Sequence, residues 1–205
     1  MKKLNILTAL SILIGSDPEI FVENKQGRIV SGIDLIPGDK NDPFPISENG
    51  HAIQVDNIAW EFNIPASKTS EEFSQNIDYV LSHLGDLANQ HGLVLSKKSS
   101  DVIEPQELKD PRALVFGCEP DFNAYTMMDN PTPNTKTKLR CVGGHVHIGY
   151  ENPNVETTIR IVRLFDLMVV LPAALMDNDT RRRELYGKPG AFRFKDFGVE
   201  CRALS

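Results

Sequence analysis

The sequence predicts an α+β fold built on a largely antiparallel sheet. Three observations point there. Short apolar, β-branched segments recur between clusters of Gly, Pro, Asn and Asp. Two long stretches carry apolar residues at three- and four-residue steps. Strands and helices alternate without regular βαβ units. With 205 residues, 40% hydrophobic and 24% charged, the chain has a globular composition and enough length for one sizeable core. Residues 1–205 are therefore expected to form a single domain, and no internal repeat or low-complexity segment is visible.

Taken in order, Met1-Lys2-Lys3 and the run Leu4–Ile14 resemble the start of a secretory signal, but no A-x-A-like cleavage site follows and Asn5, Thr8 and Ser11 interrupt the run. A buried first strand is the expectation. Gly27 punctuates a hairpin of Ile20–Glu23 with Arg28–Ser31, and the Pro/Gly-rich stretch Ile36–Gly50 reads as a loop. Ala52–Ile64 reads as one strand. The clearest helix spans Ser70 to Gln90: Thr69 or Ser70 caps it, Glu71 and Glu72 suit its positive end, and Gly92 stops it. Phe73, Ile77, Val80, Leu81, Leu84 and Leu87 form its buried stripe. Short strands and loops follow to Tyr125, then a polar loop from Asp129 to Lys138. Leu139–Tyr150 reads as a strand, Asn154–Met176 as a helix that Pro172 kinks or shortens, and Phe192–Leu204 as strand again.

Charge and cysteine content narrow the function. Lys+Arg number 22 against 28 Asp+Glu, a net charge of -6, so there is no global basic field for nucleic acid. The apolar start is too short to span a bilayer, so no membrane role is expected. The three cysteines, Cys118, Cys141 and Cys201, contain no C-x-x-C pair and fit a reducing, cytoplasmic compartment.

His145 and His147 stand two apart on the expected strand, so both rings leave one face, beside Gly143, Gly144 and Gly149. Carboxylates repeat that spacing: Asp17 with Glu19, Glu61 with Asn63, Glu119 with Asp121, and Glu200 with Arg202. Each pair alone fits a solvated strand edge. Together they form the oxygen-rich set, with a histidine, that Mg²⁺ or Mn²⁺ requires. Positive charge gathers late, in Arg181-Arg182-Arg183, Lys188 and Arg193, a candidate anion clamp. No Walker-type phosphate loop, G-x-G-x-x-G or G-x-S-x-G motif is present, so carboxylates for metal and arginines for phosphate suggest phosphoryl chemistry by another route.

Six ordered blocks carry a more specific message: Gly15-Ser16-Asp17-Pro18-Glu19, Asp56-Asn57 through Glu61-Phe62-Asn63-Ile64-Pro65, Gly117 through Ala124, Gly143 through Gly149, Arg181 through Arg193, and Phe197 through Arg202. In this order they resemble the phage-type carboxylate–amine ligases of the glutamine synthetase / glutamate–cysteine ligase superfamily. The resemblance implies a curved antiparallel sheet with helices packed on one side, as in the glutamine synthetase catalytic domain. It implies ATP with Mg²⁺ or Mn²⁺, activation of a small-molecule or peptide carboxylate as an acyl phosphate, and attack by an amine. By position, Asp17, Glu19, Glu61, Glu119, His145 and Glu200 would hold metal. His147, Arg202 and Lys188 would meet the nucleotide, and Arg202, Arg193 and Arg182 would serve the phosphate or carboxylate. The loops Ile36–Gly50 and Asp129–Lys138 are lid candidates. Asp17 stands where better-known relatives carry Glu, and the chain ends right after the Glu-x-Arg strand where relatives continue, so a truncated catalytic domain is an expectation. Relatives that build sites between subunits are compatible with a homo-oligomer. Two other readings remain beside this one: a metal-dependent hydrolase using His145-x-His147, and a non-catalytic binding protein that kept the fold.

Overall fold

A computed structural model describes residues 11–115, 121–131, 137–177 and 179–204. In chain order the strands are β1 (Leu13–Ser16), β2 (Glu19–Ile20), β3 (Val22–Glu23), β4 (Ile29–Val30), β5 (Phe44–Pro45), β6 (Ala52–Asp56), β7 (Ala59–Ser67), β8 (Val94–Leu95), β9 (Ser100–Val102), β10 (Phe122–Asn123), β11 (Leu139–Cys141), β12 (Val146–Gly149), β13 (Ala191–Lys195) and β14 (Gly198–Cys201). The helices are α1 (Ser70–Gln90), α2 (Val155–Phe165), α3 (Leu171–Met176) and α4 (Arg182–Leu185). Among the described residues the principal sheet runs β10-β13-β14-β12-β1-β7-β6-β5, with β2 also paired to β7, and these strand pairs are all antiparallel. The α+β class and the antiparallel sheet are thus as the sequence predicts.

Alternation along the strands gives the sheet two chemically different faces. On one, Trp60, Phe62 and Ile64 of β7 pack against Val80, Leu84 and Ala88 of α1. On the same face Ile148, Val199 and Cys201 pack against Ile159 and Val162 of α2, because Ser16 pairs with both Ile64 and Val146 and so links the two sets. Each such large side chain, fully buried, contributes about 1.5–3 kcal/mol, which makes this face the main source of stability. The opposite face carries the polar residues. A third cluster, including Phe21, Ile58, Ala113 and Val142, closes one end of it.

Helix α1 has the predicted bounds. Thr69 Oγ1 accepts from the Glu72 N–H, and Gly92 takes a positive φ just past the end. Elsewhere the chain turns more often than the sequence suggests. Ala52–Ile64 is a hairpin, not one strand: Asn57 adopts φ 56° and its amide donates to the Ala113 and Val115 carbonyls, fixing the turn. Asn57 is therefore a turn residue. Leu139–Tyr150 breaks at Val142–His145 into β11, paired with β9, and β12, paired with β1. Phe192–Leu204 is likewise a hairpin of β13 and β14. The second helix passes from α2 into a π-turn over Asp166–Val170 before α3. The Leu171 N–H reaches back to Asp166, and Pro172, having no N–H, follows at once. No helix among the described residues is long and apolar enough to cross a membrane. The free thiols of Cys141 and Cys201 are pushed up to about 12 by burial, so neither is a ready nucleophile.

Candidate functional site

Register assembles the polar face. Across β1, β12, β14 and β13, Gly15, His147, Glu200 and Arg193 stand side by side. A second row, on β2, β7 and β6, places Glu19 beside Glu61 and Glu61 beside Gln54. Where the rows meet, two groups of ligand-type atoms gather, each with its atoms within 4.8 Å of one another: Asp17, His147 and Glu200, and Glu19, Asp56 and Glu61.

The first group centres on Asp17. Its Oδ1 lies 3.2 Å from His147 Nε2 and 3.5 Å from His145 Nδ1. Burial alone would push the Asp17 carboxyl up; the two facing imidazoles outweigh it and hold it well below the usual carboxylate range. Glu200, only 1% exposed, is surrounded by cations. Its Oε1 meets Arg202 Nη1 closely and lies 3.6 Å from Arg193 Nη1, while its Oε2 lies 2.7 Å from Lys195 Nζ. Burial opposes ionisation here too, but Arg202 first and then Lys195 keep this carboxyl below its ordinary value. Asp121, just before β10, receives Arg202 Nε at 2.7 Å and approaches Arg193 Nε at 3.6 Å, so a carboxylate stands on either side of the arginine pair.

The second group is crowded with like charge. Glu19 is fixed by reciprocal bonds to Gly143, whose N–H donates to Glu19 Oε2 at 2.9 Å and whose carbonyl accepts from the Glu19 N–H at 2.8 Å. Burial raises its carboxyl. Glu61 is pushed up to about 9, by burial first and then by Glu19, Asp17 and Asp56. Gly143 also leaves space for two site residues: a Cβ there would lie 2.6 Å from His145 Nε2 and 2.8 Å from Arg182 Nη2.

Two cavities flank these groups. A polar one of about 240 Å³ includes Asp17, Glu61, Glu200, Arg193, Lys195 and Lys40 in its wall. A narrower one of about 60 Å³ lies beyond Glu19 and Asp56, walled by Phe21, Ile58, Val142 and Arg182. Arg182 is buried, and its Nε donates to the Val142 carbonyl at 2.7 Å.

Of the residues singled out in the sequence, the structure brings together Asp17, Glu19, Glu61, His145, His147, Glu200, Arg193 and Arg202. Arg182 lines the narrow cavity. Lys188 sits half-buried in the loop before β13 and lines neither cavity. Glu119 lies outside the described residues. His147, rather than His145, completes the compact group with Asp17 and Glu200; His145 stands behind it, its Nδ1 3.3 Å from Arg202 Nη1. Sequence reasoning missed Asp56 and Lys195. Asp56 alternates with Gln54 toward the Glu61 face once the hairpin is known, and Lys195 alternates with Arg193 on β13, a signal that was available. Of the lid candidates, Ile36–Gly50 does lie over the polar cavity, with Lys40 and Pro43 in its wall. Its far end is tied down, since His51 Nε2 donates to Asn76 Oδ1 at 3.0 Å and His51 Nδ1 lies 2.7 Å from the Ser47 hydroxyl. Residues 132–136 of the other loop lie outside the described residues.

The donor set fits a hard divalent cation. Oxygen atoms dominate, one imidazole joins them, and buried Asp17 Oδ1 and His147 Nε2 make no well-aligned hydrogen bond despite their proximity.

Comparison with known proteins supports the resemblance over the last third of the chain. Residues 134–205 match the family model described as "Phage phiEco32-like COOH.NH2 ligase-type 2". That stretch contains His145, His147, Arg182, Arg193, Lys195, Glu200 and Arg202. No curated protein and no solved structure matches.

Proposed function

We propose, taking the phage-type carboxylate–amine ligase family as premise, that this chain is an ATP-dependent ligase that joins a carboxylate to an amine through an acyl phosphate. The observation that carries the reading is the pairing of two ligand groups, Asp17–His147–Glu200 and Glu19–Asp56–Glu61, with Arg193, Arg202 and Lys195 against the same carboxylates. Those two groups, with His145 at hand and Glu119 by resemblance, would hold Mg²⁺ or Mn²⁺. The bound ions would neutralise the triphosphate and the charge that develops as the γ-phosphoryl moves.

The remaining work falls to the chain's own side chains. Arg193, Arg202 and Lys195, already aimed at the polar cavity, grip phosphate oxygens, and Lys40 reaches the same space from the overlying loop. Arg182, at the wall of the narrow cavity, faces the acid. In the first step a carboxylate oxygen bonds to the γ-phosphorus as the bond to ADP breaks. In the second the amine nitrogen bonds to the acyl carbon, phosphate leaves with the former carboxylate oxygen, and the amine loses a proton. An acyl phosphate must be shielded from water, which suits a site roofed by Ile36–Gly50.

Hydroxylamine tests the reading directly. With ATP, Mg²⁺ and a panel of acids, the chain should form ADP and hydroxamate in equal amounts, only when an acid is present. ADP without hydroxamate, or hydroxamate without nucleotide, contradicts it.

Three further outcomes are expected. Lys40→Met should raise the KM for ATP roughly tenfold, the value of one charge-assisted contact, and leave kcat close to the parent's in steady-state kinetics. Mg²⁺ binding should release protons. The Glu61 carboxyl titrates near 9 in the metal-free chain, so it holds its proton at neutral pH and the cation must displace it. Affinity for Mg²⁺ should therefore rise with pH, by up to roughly tenfold per unit below pH 9, and calorimetry in buffers of different ionisation enthalpy measures the released proton. By the same shift, the metal-free fold should lose stability as pH rises from Glu61's ordinary value of 4.5 toward 9.

A further inference from the structure

From Leu164 to Met176 the second helical segment is apolar all round, whereas the preceding turns of α2 carry Glu156, Arg160 and Arg163. Ile159, Val162 and Val170, with the carboxyl of Asp166, face the body of the protein and are buried. On the opposite side Leu164, Leu167, Met168, Leu171, Leu175 and Met176 are 55–84% exposed. From Leu164 to Met176 the sequence holds one charge, Asp166, and that residue is buried. A helix without a polar face is a buried helix. Together these six side chains expose on the order of 700 Å² of apolar surface, above the roughly 300–600 Å² of the largest patch on a typical monomer.

We infer that this ridge is the contact between two copies of the chain. The exposed area is close to the ~800 Å² that each partner gives to a standard interface, so one helix supplies nearly a full half-interface. Leu164, Met168, Leu171 and Leu175 recur at steps of four, three and four, the seam along which one helix packs on another, and a two-fold axis lets the same ridge serve both partners. Charge disfavours a lipid surface as the occupant. Helices that lie in membranes carry Lys and Arg on a polar face; this ridge has no such face, and the chain's net charge is -6. The inference is independent of the ligase reading, because no residue of the ridge reaches either cavity.

Sedimentation equilibrium of the full chain tests it. The parent is expected at twice its 22.9 kDa mass, and the double variant Leu167→Glu, Leu171→Glu at 22.9 kDa with an unchanged circular-dichroism spectrum. Leu175→Glu, at the most exposed position of the ridge, serves where the double variant fails to fold. Phe44→Glu, exposed on β5, should remain dimeric. A parent that is monomeric at roughly 100 µM, above the micromolar dissociation constants such interfaces reach, overturns the inference. So does a ridge variant that folds and still dimerises. A monomeric parent that floats with phosphatidylglycerol vesicles overturns it in favour of a membrane contact.

Discussion

Glu200→Gln abolishes Mg²⁺-dependent ATP binding, with an expected loss of at least ~100-fold in affinity. The substitution keeps the shape of a side chain that is 1% exposed and removes the charge that faces Arg202, Arg193 and Lys195. The sign separates two accounts of the site. Were the arginines and Lys195 to bind the triphosphate without metal, loss of the competing carboxylate would strengthen ATP binding. Were Glu200 and Asp17 instead to hold a cation that neutralises the triphosphate, the same change would weaken it. Removing one partner of a buried ion network also costs stability, ~3 kcal/mol. Binding is therefore compared at a temperature where circular dichroism shows both proteins folded. A Gln variant that binds Mg-ATP like the parent removes Glu200 from the metal site.

Gly187→Ala is the largest structural effect we expect. Gly187 has φ 71°, and a Cβ there would overlap Arg182 Nη1. Arg182 cannot step aside, since it is buried and its Nε is bonded to the Val142 carbonyl. Gly27 supplies the control: it has the same φ of 71° with nothing within 4 Å of its Cβ position. Gly27→Ala should cost only backbone strain, about 1 kcal/mol. Gly187→Ala should cost about 3 kcal/mol or more, a fall in Tm of ~10 °C for a chain of this size. Thermal melts of the two variants measure the difference. Equal shifts would mean that Arg182 is free to move and that the Tyr186–Gly190 loop does not hold it in place.

The parts of the fold legible in the sequence are those fixed by local chemistry. Helix α1 declares itself through Thr69, Glu72, its apolar stripe and Gly92, all within one segment. Glu19 and Glu61 are legible as inward carboxylates of apolar strands, and register brings them side by side, whereas Asp17 lies in the link between β1 and β2 and joins His147 and Glu200 instead. Long-range decisions were not legible. That Asn57 turns the chain depends on carbonyls of Ala113 and Val115, more than fifty residues away. Without that turn, Asp56 could not be placed with Glu19 and Glu61. The break before β12 rests on Gly143 serving Glu19, and it moves His145 off the strand so that both histidines reach Asp17 from different backbone settings. Lys188 stands in a glycine-bracketed loop, the local pattern of an anion site, whereas it is the β13–β14 hairpin that turns Lys195 toward Glu200.

On the ligase reading these carboxylates and cations form one metal-dependent nucleotide site. Calorimetric titration of ATP into the 205-residue chain, with and without Mg²⁺ or Mn²⁺, tests it most directly. Binding is expected to require the divalent ion and to be lost in Glu200→Gln. Absence of binding by a folded chain with the ion present, or equal affinity with and without it, would mean that no metal-dependent nucleotide site is formed here.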